Sequence, residues 1–225
     1  TSPAIMRALQ LQYDPAKQVE ARMRALKTMG HPASKIEVII IGGTFLFFPE
    51  GYCESFVKTI FDSLNGVVSP TLEEAQRVNE TAEYRCVALC IETKPELCTK
   101  ENIAKLLRYG VTRVEIGVQI LDDAIYKRIN RGHTVQDVVD ATARLRDAGF
   151  KVGYHMMPGL PGSTPSHDLE LFGMMFSDPR FMPDHLKIYP TQVVRDSPLE
   201  KLYERGDFKP YDDQTMFELL LSMKA

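Results

Sequence analysis

The stretch "IEVIIIGGTFLFFPE", residues 36–50, decides how the chain is read. It opens on isoleucine and valine broken by a single glutamate, the composition of a short strand covered on both faces. Gly42-Gly43-Thr44 then ends the strand. Glycine there permits φ values closed to other residues and lets a ligand approach the backbone. The segment has neither the G-x-G-x-x-G spacing of a dinucleotide fold nor the Gly-Lys-Thr of a phosphate loop, so the ligand it suggests carries a polar head other than a pyrophosphate.

Outward from that strand, element types alternate. Upstream, Asp14-Pro15 opens a helical pattern that runs to Gly30. Downstream, a helix is expected from about Pro49 to Gly66 and another from Thr71, whose spacing to Glu74 is that of a capping box. "CVALCIE" (86–92) is the next strand, Thr99 to Gly110 a helix, "TRVEIGVQ" (112–119) a strand, and Thr134 to Gly149 a helix with Asp137 three residues after its cap. "FKVGYHMM" (150–157), a helix over 165–176 and "DHLKIY" (184–189) complete the series. Such alternation implies right-handed crossovers and a parallel sheet.

Strands covered by helices should be apolar on both faces, so departures are informative. At period 2, Val87, Leu89 and Ile91 share one face and Cys86, Ala88, Cys90 and Glu92 the other. The third strand sets Val114, Ile116 and Val118 against Glu115, Gly117 and Gln119. The fourth sets Val152, Tyr154 and Met156 against Gly153, His155 and Met157, and the fifth sets Leu186 and Ile188 against Lys187 and Tyr189. If the sheet curls, the polar sides converge, with Glu92, Gln119 and His155 at the carboxyl ends where α/β ligand sites lie.

With 225 residues, 44% of them hydrophobic, the chain can bury a full core as one α/β domain. No apolar run approaches the roughly 18 residues of a bilayer span and no signal peptide precedes Thr1, so a cytoplasmic protein is expected. Cys53, Cys86, Cys90 and Cys98 have no disulfide-framework spacing. A net charge of -3 argues against a uniformly basic nucleic-acid binder. Residues 1–35 nevertheless carry Arg7, Lys17, Arg22, Arg24, Lys27 and Lys35 against only Asp14 and Glu20. Such a basic arm suits phosphate contacts, and equally suits the solvated face of an amphipathic helix.

Taken together, "GGTF", "IETKP", "TRVEIGVQ", "NRGHTVQDVVDATARLRDAGFKVGYHMMPGLPG" and "LKIYPTQVV" resemble the radical S-adenosylmethionine domain of the Elongator-type tRNA uridine-modifying enzymes. The likeness covers nearly the whole chain. "GVQ", "GHT" and "GLPG" also recur in anaerobic coproporphyrinogen oxidases, whereas "IETKP" and "LKIYPT" favour Elongator. The resemblance implies a partial TIM-like (β/α)6 barrel with five parallel strands in this chain, the first strand and the loop of cluster cysteines being absent. Residues 1–35 would be a basic helical segment leading into the barrel, 36–225 the barrel core, and the family's acetyltransferase domain would be absent. In such enzymes a 4Fe-4S cluster cleaves S-adenosylmethionine, and the resulting radical activates the methyl group of acetyl-CoA, which ends as a carboxymethyl group on carbon 5 of a wobble uridine. The implied partners are tRNA, acetyl-CoA and Elongator subunits or further copies of the chain.

Residue by residue, the resemblance places Gly42, Gly43 and Thr44 at the methionyl amine and Arg131 at the carboxylate, where a guanidinium fork suits two oxygens. It places Gln119 and His155 at ribose hydroxyls and Glu92 in the polar network at the methionyl end. Lys187 and Tyr189 would face acetyl-CoA or the nucleotide, and Arg22, Arg24 and Lys27 the tRNA backbone. None of the four cysteines suits the cluster: Cys86 and Cys90 lie on one strand roughly 13 Å apart, and Cys53 lies within a helix.

Overall fold

The computed structural model describes residues 3–42 and 44–224. The apolar runs form strands β1 (Lys35–Ile40), β2 (Arg85–Thr93), β3 (Arg113–Gln119), β4 (Lys151–Met156) and β5 (His185–Ile188). They are parallel and lie in one sheet in the order β1-β2-β3-β4-β5, so chain order equals spatial order, as successive βαβ crossovers give. Between and around them run α1 (Pro3–Gln10), α2 (Pro15–Thr28), α3 (Glu50–Asn65), α4 (Leu72–Asn79), α5 (Lys100–Arg108), α6 (Asp123–Arg128), α7 (Val135–Asp147), α8 (Pro165–Ser177), α9 (Pro198–Glu204) and α10 (Asp213–Lys224).

Side-chain caps set most of these boundaries. Asp14 accepts from the Lys17 amide at 3.1 Å at the start of α2, and Gly66 closes α3 at φ +70°, a conformation in which a Cβ would strain the backbone. Thr134 and Asp137 form the complete capping box at α7. At α4 only half of the expected box is present: Thr71 accepts from the Glu74 amide at 3.2 Å, while the Glu74 carboxylate pairs with Arg77 instead.

The chain divides into two compact units, Thr1–Thr93 with Lys100–Val114, and Lys94–Thr99 with Glu115–Ala225. In the first, Val57, Ile60, Phe61 and Leu64 of α3 and Leu72 and Ala75 of α4 are buried, as are Leu89, Cys90 and Ile91 of β2. Asn79 is buried too, but fully employed: it donates to Asn65 Oδ1 and Tyr84 O and accepts from the Cys86 amide at 2.7 Å. In the second, Val138, Ala141 and Leu145 of α7, Ile116 and Val118 of β3, and Val152 and Tyr154 of β4 are buried. Each buried Val, Leu, Ile or Phe among them contributes about 1.5–3 kcal/mol by leaving water, which is why these stripes settle where the helices lie.

The structure corrects one face assignment. The pairing Ile36 with Cys86 is followed by Glu37 with Ala88, leaving Val87 unopposed as a bulge. Val87 is accordingly 52% exposed rather than sharing a covered face with Leu89 and Ile91. Beyond the bulge the register with β1 is continuous, and Leu89, Cys90 and Ile91 are buried in succession, as in a strand covered on both faces.

Candidate cofactor site at the end of the third strand

On β3 the polar face consists of Glu115, Gly117 and Gln119, and each has a structural role. Gly117 is a cradle: a Cβ there would lie 2.5 Å from Arg131 Nη2 and 3.2 Å from Gln119 Nε2. Arg131 fills that space and donates from Nη2 to the Gly117 carbonyl at 2.7 Å. Its Nε is buried without a hydrogen-bond partner. Burial lowers the Arg131 pKa by penalising the cation, a cost that an anionic ligand would offset. Gln119 holds φ +70°, unusual for a residue with a Cβ, and is fixed there by the Met157 amide, which donates to its carbonyl at 2.7 Å.

The loop that delivers Arg131 is pinned on both sides. Asn130 and Gly132 take φ +52° and +88°, and the Arg131 amide donates to Tyr126 O at 2.9 Å. Tyr126 in turn donates its hydroxyl to Val118 O at 2.7 Å, and its ring meets that of His133 edge-on at 4.5 Å. His133 is buried with Nδ1 3.2 Å from Glu96 Oε2, and burial pushes its pKa below the usual imidazole range.

One step along the same face, Glu115 is 2% exposed and accepts from His155 Nε2 at 2.8 Å and from the Lys187 ammonium. Gly153 makes this possible, since a Cβ there would lie 2.9 Å from Glu115 Cγ. Burial alone would raise the Glu115 carboxyl, but His155 and Lys187 outweigh it and hold it down at about 2. Tyr189 packs edge-on against His155 at 5.4 Å. The second unit therefore brings together Gln119 with Arg131, and His155 with Lys187 and Tyr189. Glu115 organises the latter group, and sequence reasoning had placed it on the polar face without giving it a role. Thr191 was also missed; its hydroxyl is buried without a hydrogen-bond partner just past β5.

The remaining expected site residues lie in the first unit. Gly42 has φ +135° with open space around it, and Gly43 lies outside the described residues. Thr44 precedes a 3-10 turn, Phe45–Phe47, and makes no side-chain capping bond to it. Glu92 is half-buried near the carboxyl end of β2. Arg22, Arg24 and Lys27 are all exposed on α2, but they do not share one face: Arg24 and Lys27 are one turn apart, whereas Arg22 borders a groove along β1. The Lys27 ammonium sits over the Tyr84 ring at 4.5 Å.

A parallel α/β sheet with its charged and strained residues gathered at strand ends is the architecture of an enzyme that binds ligands at the carboxyl side of the sheet. Residues 9–174 match the radical SAM superfamily, residues 183–225 match the radical SAM C-terminal domain, and the chain belongs to that superfamily. It is 53% identical over 224 residues to a tRNA uridine(34) acetyltransferase of Dehalococcoides mccartyi, covering 100% of this chain and 49% of the relative. It is 41% identical over 223 residues to Elongator complex protein 3 of Danio rerio, covering 99% and 41%. A solved structure of archaeal Elp3 from Methanocaldococcus infernus, carrying an N-terminal deletion, superposes with a TM-score of 0.94 at 46% identity, covering 100% of this chain and 52% of that one. The chain thus spans about half the length of the curated relatives it matches.

The superfamily implies S-adenosylmethionine and an iron-sulfur cluster, and the residues fit the two differently. The Gly117 cradle, the unpartnered Arg131 Nε and the strained Gln119 suit an anionic ligand with hydroxyl groups. Three of the cysteines do not suit a cluster. Burial pushes the Cys86 thiol up to about 11 and Cys98 up to about 12, raises Cys53, and so disfavours the thiolates that iron requires.

Proposed function

We propose that this chain is the S-adenosylmethionine-binding part of a tRNA-modifying enzyme that builds a carboxymethyl group on the wobble uridine from acetyl-CoA. The observation that carries the proposal is the Arg131 guanidinium held over Gly117 beside Gln119, a cation and an amide set side by side at a strand end. The identity to tRNA uridine(34) acetyltransferases supports the substrate class. When bound, the cofactor supplies one-electron chemistry, and the protein contributes binding, orientation and exclusion of water.

In this scheme Arg131 takes the methionyl carboxylate and Gln119 a ribose hydroxyl. His155 takes a second ribose contact, and Gly42, Gly43, Thr44 and Glu92 serve the methionyl end. Lys187 and Tyr189 serve acetyl-CoA or the nucleotide, and Arg24 and Lys27 the tRNA backbone. The work of these residues is positioning, because a hydrogen-abstracting reaction is only as selective as the geometry that confines it. A cytoplasmic location goes with this substrate; among the described residues no helix is long and apolar enough to cross a membrane.

The test uses the whole protein that contains this chain, reconstituted anaerobically with iron and sulfide and given S-adenosylmethionine, acetyl-CoA, dithionite and unmodified tRNA. Nucleoside mass spectrometry is expected to find 5-carboxymethyluridine that depends on every component. Cleavage of S-adenosylmethionine with no modified uridine would contradict the proposal.

A further inference from the structure

The cluster around Glu115 has no assigned role in the relatives' names, and its geometry is that of an organiser rather than a ligand contact. A buried ion pair is poor value as a stabiliser, because desolvating the charges costs several kcal/mol that an apolar side chain would avoid. The fold nevertheless makes room for this one by omitting the side chain at Gly153, where a Cβ would lie 2.9 Å from Glu115 Cγ. Two residues distant in sequence, His155 and Lys187, both converge on the same oxygen, Glu115 Oε2.

We propose that Glu115 is a positioning residue for His155 and Lys187: its carboxylate fixes the imidazole with the proton on Nε2, which makes Nδ1 the acceptor, and tethers the lysine ammonium beside the ring. The inference rests on the assignment of His155 to a ribose hydroxyl. An ionised carboxylate only accepts hydrogen bonds, so the imidazole nitrogen facing it at 2.8 Å must be the donor. In the neutral ring the other nitrogen is then an acceptor, the character that a ribose hydroxyl needs in order to donate. The tyrosine ring at 5.4 Å limits rotation of the imidazole away from this arrangement. With the carboxyl held at about 2, Glu115 is ionised throughout the physiological range and stays a pure acceptor there.

Two measurements on the whole protein decide it. Nitrogen-15 NMR of protein labelled at histidine is expected to show the His155 proton on Nε2 at neutral pH; a proton resident on Nδ1 would overturn the proposal whether or not any variant folds. The second is a mutant cycle on S-adenosylhomocysteine affinity with Glu115→Gln, His155→Ala and the double variant. Each single change is expected to weaken binding about tenfold, and the double variant is expected to bind no worse than His155→Ala alone, because Glu115 acts through the ring. Losses that multiply to about a hundredfold, or an unchanged Glu115→Gln protein, would overturn it. Should the unaltered protein fail to bind S-adenosylhomocysteine at all, the cofactor assignment falls, while the NMR result still decides the role of Glu115.

Discussion

Two strand ends in this chain carry glycine for opposite reasons. Beyond β1, Gly42 sits at φ +135° with nothing within 4 Å of where a side chain would begin. On β3, Gly117 has an ordinary backbone, and its missing side chain is replaced by the Arg131 guanidinium. The first glycine serves backbone conformation and leaves open space; the second serves a neighbour and leaves none. The surroundings match. Among the described residues β1 pairs only with β2, its residues alternate between exposed and half-buried, and a groove of about 980 Å3 lined by Val19, Met23, Val38 and Ile40 runs along it. The carboxyl halves of β3 and β4 are instead packed: the Gly117 carbonyl accepts from Arg131, the Gln119 carbonyl from the Met157 amide, and His155 donates to Glu115. A preorganised polar corner holds its binding geometry before the ligand arrives, whereas an open turn must be ordered by it.

Substitution of the two glycines should separate these roles. In Gly117→Ala the new Cβ displaces the far end of a flexible arginine, so stability changes little while S-adenosylmethionine affinity falls by about a hundredfold, the loss of a charged hydrogen-bonding group. Gly42→Ala meets no atoms, so its effect is backbone strain of about 1–3 kcal/mol, seen as a lower melting temperature with a smaller change in affinity. Calorimetric titration and thermal melting of both variants check this. The reverse pattern would mean that the open turn, not the packed corner, dominates recognition.

The smallest expected effect lies on α2. Reversing Arg24 and Lys27 to glutamate should weaken binding of all tRNAs alike, by severalfold, and lower the slope of log affinity against log salt by about two. Filter binding across a salt series measures it. Loss confined to one tRNA species would contradict a phosphate role.

Much of this was legible in the sequence for a physical reason. Period-2 alternation in "TRVEIGVQ" and "FKVGYHMM" exposes the polar faces directly, because side-chain direction in a strand is fixed by the pleat. Thr134 with Asp137, and Gly66, carry their boundaries in local chemistry. Other features are properties of pairing and leave no local mark. The Val87 bulge is set by the register with β1, and the Arg131 contact spans 14 residues. The Glu115 contacts span 40 and 72 residues. Glycine at 117 and 153 reads as a weak strand residue until the side chain that fills its place is known. Helices α1 and α9 have eight and seven residues, too short for a helical period to stand out in the sequence.

The central claim is that Arg131, held over Gly117, receives the carboxylate of S-adenosylmethionine. Calorimetric titration of the cofactor into the whole protein and into its Arg131→Ala variant tests it most directly. Loss of a bidentate charged contact predicts binding weaker by about 1.5–3 kcal/mol, roughly ten- to a hundredfold, in a variant that still melts cooperatively. Unchanged affinity in a folded Arg131→Ala protein would contradict the claim and remove the end of β3 from the cofactor site.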